Sequence, residues 1–257
     1  MAKPARLPKV SIVDVTPETI AWHGLFCQKS KKKSEGYLRK LRWVMERFKD
    51  GLRYKMLLTE DGHYVGFIEY MPGERSWRNV EADGYMVIHC LWVIGRFKAQ
   101  GMGSRLIGEC IADAKRDGMS GVAMVTSGKN WLAHSELFLR LGFEVADSAP
   151  PFEIVVMRFG NAPHPRFRPP ETPGKEKSLR IFRSDQCPYI PQSIDSVRRM
   201  ARAQGIEVKI TEMGDCGAVR ECPFPYGTFG ITYDGRALTY RPIGGEELRD
   251  RHMVKLD

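Results

Sequence analysis

Residues 85–106 read YMVIHCLWVIGRFKAQGMGSRL. The first part, 85–94, is the most hydrophobic strand-like run in the chain and predicts a buried central strand. A basic turn follows at once, with Lys98, Gly101 and Gly103, and then an amphipathic helix over 103–116. Leu106, Ile107, Cys110, Ile111 and Ala114 fall at helical spacing and make its apolar face. Lys115 and Arg116 in the last turn, with Gly118 beyond, suit a helix C-terminus.

A helix N-terminus carries unpaired N–H groups and a partial positive charge, and glycine lets backbone approach an anion without a side chain between. Lys98-Ala99-Gln100-Gly101-Met102-Gly103-Ser104 therefore reads as a cradle for a pyrophosphate. The other reading is a strand-to-helix turn that uses glycine for tight geometry alone. A dinucleotide-binding Rossmann site is disfavoured, because the third glycine is missing and the motif does not open the first βα unit.

Working outward, 10–15 (VSIVDV) predicts a first strand, and Thr16-Pro17 an N-cap and first-turn proline opening a short helix. Tyr37, Leu38, Leu41, Val44, Met45 and Phe48 make one stripe on a second helix, stopped by Asp50-Gly51. Strands over 53–59 and 63–70 are joined by Glu60-Asp61-Gly62 as a hairpin. Past the central unit come a strand at 121–127, a helix over 130–141 closed by Gly142, and strands at 143–147 and 152–158. Residues 160–177 hold five of the sixteen prolines and no apolar period, the mark of a linker. A second small unit follows: a strand at 179–183, a Cys187-Pro188 turn, a helix to 204, a strand at 206–211 and a hairpin at Asp234-Gly235. The expected domains are 1–159, a linker at 160–177, and 178–257.

The chain has 257 residues, 42% hydrophobic and 10% aromatic, which excludes wholesale disorder. No apolar run is long enough to span a membrane, and the opening MAKPARLPKVSIVDV has no signal core, so a cytoplasmic protein is expected. The net charge of +9 suits a polyanionic cofactor or nucleic acid. No aromatic-interleaved basic motif or zinc spacing supports the nucleic-acid reading, and Lys29–Lys33 reads as a solvated surface. The six cysteines, 27, 90, 110, 187, 216 and 222, show no metal spacing, and no metal is expected. Cys90 and Cys110 sit in apolar runs and are expected in the core. A homodimer is compatible with the sequence.

The segment 91–106 resembles the acetyl-CoA-binding motif of the GNAT superfamily of N-acetyltransferases. Val93 stands in the strand position, Gly101 and Gly103 in the two small positions, and Lys98 where arginine or glutamine is usual. Lysine keeps the charge and loses the planar fork. The element order over 10–158 and the Leu141-Gly142-Phe143 ending agree. The resemblance implies an α/β (α+β) fold, a mixed sheet with flanking helices, and acetyl-CoA as acyl donor to an amine, either a small molecule or a peptide. It implies that backbone of Leu91, Trp92 and Val93 pairs with the pantetheine arm. It also implies that N–H groups of Gln100, Gly101, Met102, Gly103 and Ser104 hold the pyrophosphate, that Asn130 supports the cofactor, and that the sheet bulges near Val93. Many relatives place a tyrosine where this chain has Phe138, to protonate the departing thiolate. His134 and Ser135, one turn earlier, are the candidate substitutes.

For a general base, Glu69, Asp83 and His89 are the candidates; Glu69 and His89 are polar residues in otherwise apolar strands. The alternatives are that Glu69 pairs with Arg75 or Arg78 and that His89 is a satisfied core histidine. In the second unit, Cys187-Pro188-Tyr189-Ile190 resembles the glutaredoxin C-P-Y-C turn with the second cysteine lost, on a reduced thioredoxin-like βαβ plus hairpin. A cysteine at a helix start has its thiolate favoured, which makes Cys187 a candidate reactive thiol with Cys216 or Cys222 as distant resolving partners. The joined architecture resembles the YoaP-like group of GNAT proteins. The alternative function is thiol redox or thiol sensing at Cys187, with the CoA-binding domain secondary.

Overall fold

The computed structural model describes residues 8–169 and 174–253; part of the expected linker and both chain ends lie outside these. β1 (Val10–Val15) leads into α1 (Ile20–His23) and α2 (Glu35–Arg47). The Thr16-Pro17 segment is a turn before α1, where the Thr16 N–H donates to Thr19 Oγ1 at 2.8 Å. β2 (Arg53–Thr59) and β3 (Tyr64–Pro72) form the expected hairpin. Then come β4 (Val80–Glu81), β5 (Tyr85–Val93), α3 (Met102–Arg116), β6 (Gly121–Thr126), α4 (Ser135–Leu139), β7 (Glu144–Ala149) and β8 (Phe152–Arg158). Seven strands make one sheet in the order β1-β2-β3-β5-β6-β8-β7. Within this sheet, among the described residues, only β5 and β6 run parallel, as the crossover through α3 requires. No described helix is long and apolar enough to cross a membrane.

β5 and β6 pair from Tyr85↔Gly121 to Ile88↔Met124 and then part. On its other side β5 stays paired with β3 through Gly66↔Val93. The register shift lies between Glu69↔Cys90 and Tyr70↔Ile88, so the extra residue is His89 and not a residue near Val93. The bulge re-aims the imidazole. Its Nε2 accepts the Trp77 N–H at 3.0 Å, which gives a fully buried polar ring a partner.

Two helices differ from expectation for local reasons. On α2 the buried face is Tyr37, Lys40, Trp43 and Val44, while Leu38 and Met45 are 43% and 42% exposed. Lys40 belongs inside because its ammonium meets the Glu69 carboxylate at 2.6 Å. α4 is confined to Ser135–Leu139 because Asn130 and Trp131 take φ of 58° and 60°, a left-handed backbone that a right-handed helix excludes.

β9 (Arg166–Phe167), inside the expected linker, pairs with β4 as a short ribbon. β10 (Leu179–Arg183), α5 (Ile190–Ala203), β11 (Val208–Glu212), α6 (Cys216–Arg220), β12 (Phe229–Tyr233), β13 (Arg236–Thr239) and α7 (Gly245–Leu248) follow. Their sheet has the order β11-β10-β12-β13, with β10 parallel to β11 and antiparallel to β12. α6 had no periodic signal; it is capped by Asp215, whose side chain accepts the Ala218 N–H at 2.8 Å. α5 starts at Ile190 with Pro191 in its first turn, so Cys187 lies in a turn before the helix and Pro188 is not its first residue.

The two sheets share apolar contacts. Trp43, Phe67 and Trp77 of the first pack in one cluster with Phe182, Met213, Val219 and Phe224 of the second. Phe152 stacks on Tyr226 with ring centroids 5.7 Å apart. Gly36 of α2 backs onto Pro188 so closely that a Cβ there would lie 1.9 Å from the Pro188 carbonyl oxygen.

Phe138 is 0% exposed, edge-on to Phe143 at 5.2 Å, in a cluster with Leu106 and Phe97. It is a core residue, so the position expected for a thiolate-protonating acid is filled by packing. Phe138→Ala should cost about 3–5 kcal/mol through the cavity it leaves. Phe138→Tyr should cost about 1–3 kcal/mol by burying a hydroxyl without a partner, and should not raise activity. Urea unfolding checks both; a tyrosine variant as stable as the parent would mean the site opens to solvent.

Candidate active site

Where β5 leaves β6, no strand among the described residues covers its second edge over Leu91–Val93. Leu91 and Val93 turn into the core, while Cys90, Trp92 and Ile94 alternate to the opposite face and line a cavity. Beyond Ile94 the chain makes a single 3-10 turn, Gly95–Phe97, pinned by the buried Phe97 ring. Lys98 is exposed, with its ammonium 5.0 Å from the centre of the Trp92 ring. The Gln100 side-chain amide donates to the Arg96 carbonyl at 2.8 Å.

Gly101 caps α3 with φ of 74°, a conformation that favours glycine, and the first helical bond runs from the Arg105 N–H to the Gly101 carbonyl. The N–H groups of Met102, Gly103 and Ser104 therefore have no intrahelical acceptor, and no side chain caps them. Packing does not demand glycine at position 103. A Cβ there would meet only Leu137 Cδ2 at 3.6 Å, an ordinary contact. The space beside this turn is open, and the donors point to an anion.

The cavity is about 640 Å³ and lies between the face of the first sheet near α2 and the second sheet. Ten of its 27 lining residues are Phe, Tyr or Trp, among them Tyr54, Phe67 and Trp92 from the first unit and Tyr189, Tyr226 and Tyr240 from the second. The buried Lys40–Glu69 pair also lines it. Three thiols reach it from separate segments, Cys27, Cys90 and Cys187. Cys90 is thus a cavity residue, while Cys110 is in the core as expected.

Glu69, His89, Cys187, Asn130 and Trp92 are brought together around this one cavity. Glu69 takes Lys40 as its partner, in place of Arg75 or Arg78. The His89 Nε2 is engaged as an acceptor, so the neutral ring carries its proton on Nδ1, which has no partner. Burial, with the Arg78 and Lys40 charges, holds its pKa well below the ordinary histidine value. The Asn130 side chain donates to Ser127 Oγ at 3.2 Å. His134 stands apart, exposed, with Nδ1 3.8 Å from Glu136.

Lys40, Cys27, Arg78, Gln186 and Tyr226 also line the cavity and escaped sequence reasoning. Lys40 carried a usable signal, since it lies one turn before Val44 on the same helix face. Arg78 sits in an aperiodic loop and carried none.

Cys187 does not have the favoured thiolate expected of a helix start. Burial pushes its pKa up to about 11, with the Tyr189 backbone N–H pulling weakly the other way. Burial raises Cys27 to about 12. A raised pKa means the thiol form dominates at pH 8. Alkylation of Cys187 by iodoacetamide there should lag free cysteine by roughly two orders of magnitude and climb with pH toward 11. Mass spectrometry of the labelled chain checks this; a rate at neutral pH equal to that of free cysteine would restore the reactive-thiol reading.

A family model described as acetyltransferase (GNAT) family matches residues 20–143. The chain is 30% identical over 235 residues to the uncharacterized N-acetyltransferase YoaP of Bacillus subtilis (strain 168), across 89% of this chain and 92% of that protein. Among solved structures, a GNAT-family acetyltransferase of Staphylococcus aureus Mu50 is 12% identical, covering 59% of this chain and all of its own, with a TM-score of 0.45. The PaiA N-acetyltransferase of Thermoplasma acidophilum, solved with coenzyme A, is 15% identical over 59% of this chain and 99% of its own, with a TM-score of 0.43. With 30% identity to YoaP sustained over most of both chains, and with the family model spanning 20–143, this chain belongs to the GNAT acetyltransferase family.

Proposed function

We propose that the chain transfers an acetyl group from acetyl-CoA to the amine of a small molecule held in the aromatic cavity. The observation that carries this reading is the continuity of three features: the uncovered β5 edge, the uncapped glycine turn at its end, and the cavity on the β5 face that carries Trp92. The residues fit the donor. On that edge the backbone of Leu91 and Val93 offers unpaired groups to the pantetheine amides, with Trp92, whose own backbone is turned to Phe67 of β3, between them. The N–H groups from Gln100 to Ser104, with Lys98, offer donors and a charge to the pyrophosphate, and the room at Gly103 admits it. Asn130, at the cavity mouth with Trp131, is placed to support the arm. A volume of about 640 Å³, within the range of small-molecule pockets, favours a small acceptor over a peptide.

Acetyl-CoA would supply a thioester whose thiol leaves readily, with a pKa of about 8.5 for an ordinary thiol. That is tolerable without a positioned acid, which matches a hydrocarbon at Phe138 and an outlying His134. An amine must lose a proton to attack a carbonyl. Glu69 is the carboxylate on the cavity wall, and one of its oxygens already holds Lys40. Glu69 accepts the amine proton, directly or through water, while Lys40 fixes the carboxylate in place.

The organisation into 1–159, a linker at 160–177 and 178–257 follows the same reading. The order β11-β10-β12-β13, with its parallel first pair and antiparallel hairpin, supports a thioredoxin-like second unit. Its role is to wall the acceptor site with Gln186, Cys187, Tyr189, Tyr226 and Arg241.

Thiol release from acetyl-CoA across an amine panel tests the activity. Glu69→Gln should lower kcat by about 10²–10⁴ and leave CoA affinity unchanged. Gly103→Ala should hold or raise stability by up to about 1 kcal/mol, since alanine is the better helix former, yet weaken CoA binding. Calorimetry showing full CoA affinity in Gly103→Ala would remove the phosphate from this turn.

A further inference from the structure

Six charged side chains are buried among the described residues: Lys40, Lys55, Glu69, Arg78, Asp113 and Arg183. Five are ion-paired. Lys40 meets Glu69, Lys55 meets Asp14, Glu109 and Asp113, Asp113 also meets Arg53 and Arg116, and Arg183 meets Asp185 and Glu212. Arg78 is the exception. It is 2% exposed, and its guanidinium donates only to neutral oxygens: the Trp77 carbonyl at 2.7 Å, Gln186 Oε1, Thr228 Oγ1 at 3.0 Å, the His89 carbonyl and Tyr226 Oη at 3.4 Å. Its plane lies over the Tyr226 ring at 4.4 Å, and its Nε has no partner. A buried charge without a counter-ion is strongly unfavourable unless something supplies one.

Arg78 lines the acceptor cavity, so the missing anion has a place to come from. The lining carries Lys29, Lys40, Arg78 and Arg241 against one carboxylate, Glu69. Lys40 is taken by Glu69, and Arg241 by Glu247 outside the lining. Lys29 and Arg78 remain. The acyl donor does not answer them, because its anionic groups belong at the start of α3 and its thioester arm is neutral. The acceptor must.

We infer that the acceptor is an amine carrying a carboxylate, of the class of aromatic or bulky apolar amino acids, and that Arg78 recognises the carboxylate. The inference rests on the transferase reading of the same cavity. Aromatic walls select the apolar body. Glu69 stands opposite Cys90 in the sheet, and Arg78 binds the carbonyl of the adjacent His89. Glu69 of β3 and Arg78 of the loop before β4 thus meet β5 at adjacent residues, which brings the proton-accepting and anion-binding groups to the same stretch of the cavity wall, as an ammonium and a carboxylate on one carbon require. The buried Nδ1–H of His89, also without a partner, is a second donor on the same wall.

The test compares free phenylalanine, tryptophan and leucine with their amides and their decarboxylated amines. Binding is read by calorimetry on the full chain with CoA present, and turnover by thiol release from acetyl-CoA. At least one acid should exceed its amide and amine by about tenfold or more in affinity and in kcat/KM, the scale of a charge-assisted contact. Gln186→Glu puts an internal carboxylate against Arg78 and should cut that acid preference by about tenfold. Thermal unfolding checks its fold, and Thr228→Asp serves the same purpose if it fails. Acids that bind no better than their amides, or a preference untouched by the internal carboxylate, would overturn the inference, as would no binding by any acid. Selective acid binding without acetyl transfer would keep Arg78's role and overturn the transferase reading instead.

Discussion

Two parallel strands that stay together for only four residue pairs organise the functional half of this molecule. β5 and β6 are held from Tyr85↔Gly121 to Ile88↔Met124, and the hydrogen-bonding partner of β5 then disappears on one side only. β3 keeps the strand straight on the other side through Val93. Backbone groups left unpaired in an otherwise complete sheet are costly unless a ligand or water takes them. The His89 bulge lies at the same point, and beyond it Trp92 faces the cavity and the chain enters the glycine turn.

What was legible in the sequence was local. The run 85–94, the glycines at 101 and 103 and the apolar face of α3 are signals carried by neighbouring residues, and they fell where read. Lys40 was legible only as a position one turn before Val44 on the buried face of α2; that a lysine is buried there depends on a carboxylate on β3 that no neighbouring residue reveals. The length of α4 depended on two left-handed residues, Asn130 and Trp131, neither of which is glycine. Cys187 was read from its local string, but its chemistry is set by burial under the other unit, a contact no local string contains.

The cavity also shows how a shared scaffold is individualised. On the proposed reading the donor side belongs to the first unit and is made mainly of backbone and glycines, with the side chains of Lys98 and Asn130 beside them. The acceptor side is a composite in which Gln186, Tyr226 and Thr228 of the second unit all bear on Arg78 of the first. If Arg78 recognises the acceptor as proposed, selectivity rests on residues more than a hundred positions away in the chain, and changes in the second unit would retune it without touching the donor site.

The cluster joining Trp43, Phe67 and Trp77 to Phe182 and Phe224 has a meaning in time as well as in space. During synthesis the first unit is complete well before its covering partner exists. At about 5–20 residues per second, the ribosome needs several seconds to add the stretch that carries those aromatics. Through that interval the nascent first unit presents an aromatic face to solvent and a guanidinium three of whose partners, Gln186, Tyr226 and Thr228, have not been made. The order of the two units along the chain thus imposes a waiting period on folding. The short β4–β9 ribbon, formed from the segment made just before the second unit, already tethers the incoming chain beside the face it must cover.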